Sequence, residues 1–231
     1  MNSIKISNWG YVECKSGFYT SSDLLSEKDI YCFHCGENIL RGEIDSGVWA
    51  VSYLLSMYTC APKDFVLGQP AVAEVDGVTV GLGELSKRTC YMDKTHYPLF
   101  RSKASVRRLI ERGLRKTHLT LSGVPLTVDD VCDMFRLDDE RSRRRISRGG
   151  SEALFSMAAV GYAHGRDIFC YPWYSVLRFN CFQYRLYYTF ELFEQLGLTA
   201  IVPVGLGEID DEGRNYFKVE IPYGSDSCKN E

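Results

Sequence analysis

The 231-residue sequence has no apolar run approaching the about 20 residues that cross a bilayer, which excludes a membrane-spanning helix. Its polar start, MNSIKISNWG, lacks the apolar centre of a signal peptide, so the chain is expected to stay in the cytoplasm. It has no basic excess. A net charge of −3 argues against a general nucleic-acid binder. No second CxxC joins Cys32 and Cys35 of CFHC, so that pair alone cannot complete a tetrahedral zinc site. The nine cysteines are odd in number and scattered, which reads as reduced thiols and not as a disulfide framework. Repeats and low-complexity linkers are also missing, and residues 1–231 read as a single domain. What is present, 45% apolar and 25% charged residues, is enough for a sizeable globular core.

Within that core the expected elements follow from period and punctuation. DIYCFH reads as a strand, and Tyr31 and Phe33 beside Cys32 and Cys35 suggest near-core thiols. VWAVSYLLSMY reads as an apolar helix of about three turns. AVAEVDGVTVG (71–81) alternates around Asp-Gly, the mark of a hairpin. From about 101 to 150 the composition turns to helix formers and charge, with Thr127 as an N-cap before Val128 and Asp129. Arg141, Arg143, Arg144 and Arg145 follow Asp138, Asp139 and Glu140, a solvated and self-compensating face. SEALFSMAAVGYAHG (151–165) is a helix, RDIFCYPW a short buried strand, and residues 181–197 an amphipathic helix stopped by Gly197. LTAIVPVG is a further buried strand, and NYFKVEIPYG ends on alternation. This helix–strand alternation predicts an α/β chain with a parallel sheet.

The stretch GEIDSGVW (42–49) sets two glycines, Gly42 and Gly47, at the spacing of the phosphate loop GxxxxGK[ST]. By itself the pair is weak, since a chain with 20 glycines holds one by chance, and a tight turn explains it equally. Other landmarks follow in order: VDGVTV, CYMDKTHYPLF, ISRGGSE (146–152), YPWYSVLR (171–178) and GLTAIVPVG (197–205). Together they resemble the nucleotide-binding domain of ABC transporters over nearly the whole chain, most securely in 36–60 and 146–205. The resemblance implies a P-loop NTPase-like parallel sheet core, an N-terminal antiparallel β subdomain and a helical subdomain near 101–150. ISRGGSE would be the LSGGQ signature, with Ser147, Arg148, Gly149 and Gly150 at its core. YPWYSVLR would match DEPTSALD through Ser175 and Leu177. The Q-loop would fall at Asp93 or Lys94, and the switch histidine at Gly205. Tyr19 is a candidate for the adenine-stacking aromatic, with Phe18 and Tyr31 as competitors. Gly149 and Gly150 also fit a plain helix entry capped by Ser147 or Ser151.

Set against that pattern, the chemistry is missing. An ATP site needs a lysine on the phosphates and a hydroxyl on Mg²⁺, where Val48 and Trp49 stand. It needs carboxylates to hold the metal and position water, where Tyr171 and Pro172 stand. No Asp or Glu occurs between Asp167 and Glu191. The expectation is a degenerate, non-hydrolysing subunit with no catalytic residues, no metal and no cofactor of its own. ATP and Mg²⁺ would be held only at a composite site shared with a partner, as one half of a heterodimer. The resemblance further implies an active ATPase partner and a transmembrane permease, with residues 91–105 as the docking surface and a peripheral place on the cytoplasmic face of the membrane. Two rival readings stand beside it. One is an active ATPase with divergent motifs; the other is an unrelated α/β regulatory or scaffold protein using Cys32 and Cys35 as a metal or redox pair.

Overall fold

The computed structural model describes residues 3–7, 12–14, 20–21, 31–42, 52, 55, 65–67, 72–95, 97–148, 152–210 and 217–220. The chain opens with β1 (Ser3–Ser7), β2 (Val12–Cys14), β3 (Thr20–Ser21), β4 (Tyr31–His34), β5 (Gly36–Arg41) and β6 (Phe65–Leu67). The hairpin β7 (Val72–Val75) and β8 (Val78–Val80) leads into α1 (Leu82–Arg88) and β9 (Thr89–Tyr91). Next come α2 (Val106–Thr117), the small hairpin β10 (Thr120–Leu121) and β11 (Val124–Pro125), α3 (Val128–Met134) and α4 (Asp139–Arg143). The last third holds α5 (Ala153–Ala163), β12 (Ile168–Cys170), α6 (Val176–Gln195), β13 (Thr199–Val204) and β14 (Phe217–Glu220).

The centre is a five-stranded parallel sheet in the order β14-β5-β13-β12-β9. All six residues of β13 and all three of β12 are buried, the unbroken apolar pattern of strands covered on both faces. The buried Asn38 of β5 ties this sheet together. Its side-chain amide donates to the carbonyls of His34 at 2.8 Å and Ala200 at 3.0 Å, and its oxygen accepts the His34 N–H at 2.8 Å. Beside it lies an antiparallel sheet, β4-β1-β7-β8, and a second antiparallel sheet joins β3, β2 and β6. The Asp-Gly hairpin forms as expected, with Asp76 and Gly77 at φ 50° and 80°, the left-handed pair such a turn requires. Asp76 also accepts the Ser3 N–H at 3.0 Å, which fixes the register against β1.

The helical block is held by caps and one close approach. Thr127 and Asp130 form a capping box at the start of α3. Arg141 pairs with Glu152 at 2.8 Å and Arg143 with Asp139 at 3.1 Å, while Arg144 pairs with Glu140, so this basic run answers largely to its own acids. Helix α2 turns Val106, Leu109, Ile110 and Leu114 inward. There Gly113 lies so near α5 that a Cβ would sit 2.6 Å from the Ala163 carbonyl oxygen. A side chain at 113 would force the helices apart. Two details differ from expectation. Helix α6 begins at Val176 and not at 181, because the Ser175 hydroxyl accepts the Arg178 N–H at 3.3 Å and caps it. The buried strand read into RDIFCYPW ends at Cys170, after which Tyr174 alone bridges to Val204. Of the apolar stretch 48–58, Ser52 and Leu55 are helical and buried, and the rest lies outside the described residues.

Candidate functional site

Parallel strands bring their carboxyl ends to one edge, and ligands of open α/β sheets bind in the crevice outside that edge. Here β5 is followed by Gly42, β13 by Gly205, β12 by Tyr171 and Pro172, and β9 leads to Asp93 and Lys94. Six of the residues singled out in the sequence therefore share this edge. Gly47, Val48, Trp49, Gly149, Gly150 and Tyr19 lie outside the described residues. Ser147 and Arg148 are exposed in a short 3-10 turn, Ile146–Arg148, ahead of α5.

The paired ends of β5 and β13 are met by a residue to which the sequence pattern assigns no role. The Trp173 indole N–H donates to the Gly42 carbonyl at 3.1 Å. The same ring would lie 3.1 Å from a Cβ on Gly205, so glycine there admits the indole. Backbone bonds lock the arrangement: Gly42 N–H to Val204 at 3.0 Å, Tyr174 N–H to Pro203 at 3.0 Å, and Gly205 N–H to Tyr174 at 2.9 Å. Trp173 thus uses its one donor on a carbonyl at the start of the glycine loop. The signal available in the sequence was the aromatic pair Trp173-Tyr174 directly after a strand.

Tyr171 cannot serve as a metal or water ligand in this geometry. Its ring is fully buried, edge-on to Phe190 at 5.6 Å, and its hydroxyl has no hydrogen-bond partner among the described residues. Burial pushes that hydroxyl well above its ordinary range, so it stays protonated. Pro172 contributes only an apolar wall to a cavity of about 380 Å³ beside Met92 and Asp93. The Asp93 carboxylate accepts the Thr95 N–H at 2.7 Å and the Thr95 hydroxyl at 2.6 Å. Asp167, the acid nearest to β12 in sequence, sits at the opposite edge of the sheet. There its oxygens take the Arg88 Nε–H at 3.1 Å, and its backbone N–H donates to the Arg88 carbonyl at 3.0 Å. This pairing holds the Arg88 guanidinium above its usual range, against the opposing effect of burial.

Cys32 and Cys35 are free thiols, half-buried at β4 and its end, between the buried Tyr31 and Phe33 and the start of β5. Among the described residues no group of three His, Cys, Asp or Glu side chains could hold a metal ion. No helix among them is long and apolar enough to cross a membrane.

No family model matches the sequence, and no curated protein matches it. Solved structures do resemble it. CbiO1 from Clostridium perfringens, part of the ABC transporter complex CbiONQ, matches with a TM-score of 0.61 at 11% identity, over 96% of this chain and 88% of that one. A putative ABC transporter ATP-binding protein from Pyrococcus furiosus matches with a TM-score of 0.58 at 10% identity, over 95% and 97% of the two chains. The chain therefore has the fold of ABC transporter ATP-binding domains, an α/β P-loop NTPase-like core with antiparallel β and helical parts.

Proposed function

From that fold as premise, we propose that the chain is a non-hydrolysing ABC-type subunit that works beside an active ATPase and a membrane permease. One observation carries the reading. Where an ATP site of this fold needs carboxylates and a histidine, the edge of the sheet presents Tyr171, Pro172 and Gly205, with the Trp173 indole joining Gly42 to Gly205. Val48 and Trp49 add neither lysine nor hydroxyl to the loop. A hydrogen bond to a charged group is worth about 1.5–3 kcal/mol, so losing several removes most of the affinity and the reaction.

A subunit of this kind keeps one use for nucleotide. In a head-to-tail pair, the segment Ser147–Gly150 would face the triphosphate held by the partner, and its glycines would let the backbone approach closely. ATP and Mg²⁺ would then sit only at that composite site. That CbiO1 is part of a transporter complex supports the search for such partners. The groove of about 410 Å³ lined by Leu99, Leu109 and His164, with Arg112, Arg115 and Lys116 around it, overlaps residues 91–105 and suits a permease segment carrying acidic residues. The protein would act on the cytoplasmic face of the membrane.

The test is ATP hydrolysis by the co-purified complex. Gly150→Glu, which puts an anion against the triphosphate, should abolish it, and Val48→Ala should leave it nearly unchanged. Full activity in an intact Gly150→Glu complex would mean that this chain completes no partner's site.

A further inference from the structure

The cavity behind Pro172 has a composition that the nucleotide reading does not use. It lies between the ends of β9 and β12 and the first turns of α5 and α6, with a volume of about 380 Å³. That is the small end of the range for ligand pockets, roughly 300–1,000 Å³. Its body is apolar: Met92, Ala153, Leu154, Met157 and Phe182. Its polar groups gather from two loops. Lys94 and Thr95 come from the turn after β9, where Asp93 fixes the chain by accepting two bonds from Thr95. Tyr174 and Arg178 come from the entry to α6.

Two of these groups are uncommitted. The Arg178 guanidinium rests 5.4 Å from the Tyr174 ring centre and 5.7 Å from that of Phe182, and among the described residues it meets no carboxylate. The Tyr174 side chain is only 5% exposed, and its hydroxyl has no hydrogen-bond partner among the described residues. Burial raises that hydroxyl to about 12, so at neutral pH it is a donor. The ring is buried but the hydroxyl oxygen is not fully enclosed; Tyr174 lines the cavity, where an acceptor supplied by a ligand can meet that donor. Arg178 brings a positive charge to the lining, and Lys94 and Asp93 stand beside it.

We infer that this cavity binds a small amphipathic anion, with a carboxylate or phosphate head between Arg178, Lys94 and the Tyr174 hydroxyl and an apolar, ring-sized body against Met92, Leu154, Met157 and Phe182. An arginine fork accepts such a head with two parallel bonds, and the aromatic faces beneath hold the guanidinium in place for it. The site needs neither the glycine loop nor the signature segment, although Pro172, Asp93 and Lys94 belong to the sheet edge described above.

Calorimetry on the full chain tests it with three probes: naphthalene-1-acetate, naphthalene-1-acetamide and 1-naphthyl phosphate. The acetate should bind, and the neutral amide should bind at least 10-fold more weakly. The phosphate, compared with the acetate, reports which head the site takes. Arg178→Gln, an exposed change, should weaken the anion at least 5-fold with an unaltered melting temperature. Leu154→Trp, which fills the cavity, should abolish binding; if that variant does not fold, the Arg178→Gln result decides. Absence of binding for both anions, equal binding of acid and amide, or wild-type affinity in Arg178→Gln would each overturn the inference.

Discussion

The two edges of the parallel sheet differ in kind. At the amino edge, Arg88 and Asp167 form an ion pair that ties α1 to the start of β12, and the Thr199 N–H donates to Asp167 at 2.9 Å beside it. At the carboxyl edge, where open α/β sheets meet their ligands, glycines, aromatics and a proline follow β5, β12 and β13: Gly42, Tyr171, Pro172, Trp173 and Gly205. The ends of β5, β12 and β13 carry no charged side chain at Gly42, Tyr171, Pro172 and Gly205, while Asp93 and Lys94 follow β9 at the same edge. The strands between are held by burial, which is indifferent to what stands at their ends. Trp173 closes the carboxyl edge through its bond to Gly42 and its packing against Gly205.

The comparison can be broken at several points, beginning with the core that both edges share. Phe169 is fully buried and stacks on Phe193 at 4.4 Å between ring centres. Phe169→Ala should cost about 3–5 kcal/mol in chemical denaturation, as large aromatic truncations do. At the carboxyl edge, Trp173→Ala should cost about 2–3 kcal/mol through lost packing and the lost bond to Gly42, without conferring Mg-ATP binding. An unchanged denaturation midpoint would show that the indole does not hold the edge together. At the amino edge the pair is partly solvated, with side chains 37% and 27% exposed. After allowance for screening, Asp167→Asn should cost only about 1 kcal/mol, and less in high salt.

Tyr171→Phe sharpens the contrast from the other direction. Its hydroxyl is buried without a partner among the described residues, so removing it should be neutral or should stabilise by up to about 1 kcal/mol. A loss above that would reveal a bond the hydroxyl makes. The smallest effect is expected at His164, whose Nε2 lies 3.0 Å from the Leu109 carbonyl. Burial is the main cause of its lowered pKa, with Arg166 and Lys116 adding repulsion and the Leu109 bond opposing. The unfolded chain therefore takes up the proton first. Stability should fall as pH drops below about 6.5 through the lower folded value, and His164→Gln should flatten that slope in thermal melts at pH 5 and 7.

Much of the fold was legible because its signals are local. Asp76-Gly77 between alternating runs announces a hairpin, and Thr127 with Asp130 announces a helix start. The unbroken apolar run at 199–204 announces a strand covered on both faces. The start of α6 is not legible because Ser175, which matches the family motif, acts as its cap. Helix α1 and strand β9 were missed too, being short and set between a clear hairpin and a loop-like segment. At the site, the residue types Tyr171, Pro172 and Gly205 could be read directly, since that needs only the order of residues. The contact that Trp173 makes beside them could not. Trp173 and Gly42 are 131 positions apart, and only the register of β5, β13 and β12 brings an indole from one onto a carbonyl of the other.

The most direct test of the central claim is Mg-ATP binding by the isolated chain, measured by calorimetry with a turnover assay on the same sample. The account predicts no heat of tight binding and no hydrolysis above background, in the wild type and in Trp173→Ala alike. Micromolar Mg-ATP affinity with turnover that disappears when Gly47 is replaced by a bulky residue would contradict it, and would mean that the glycine loop still works.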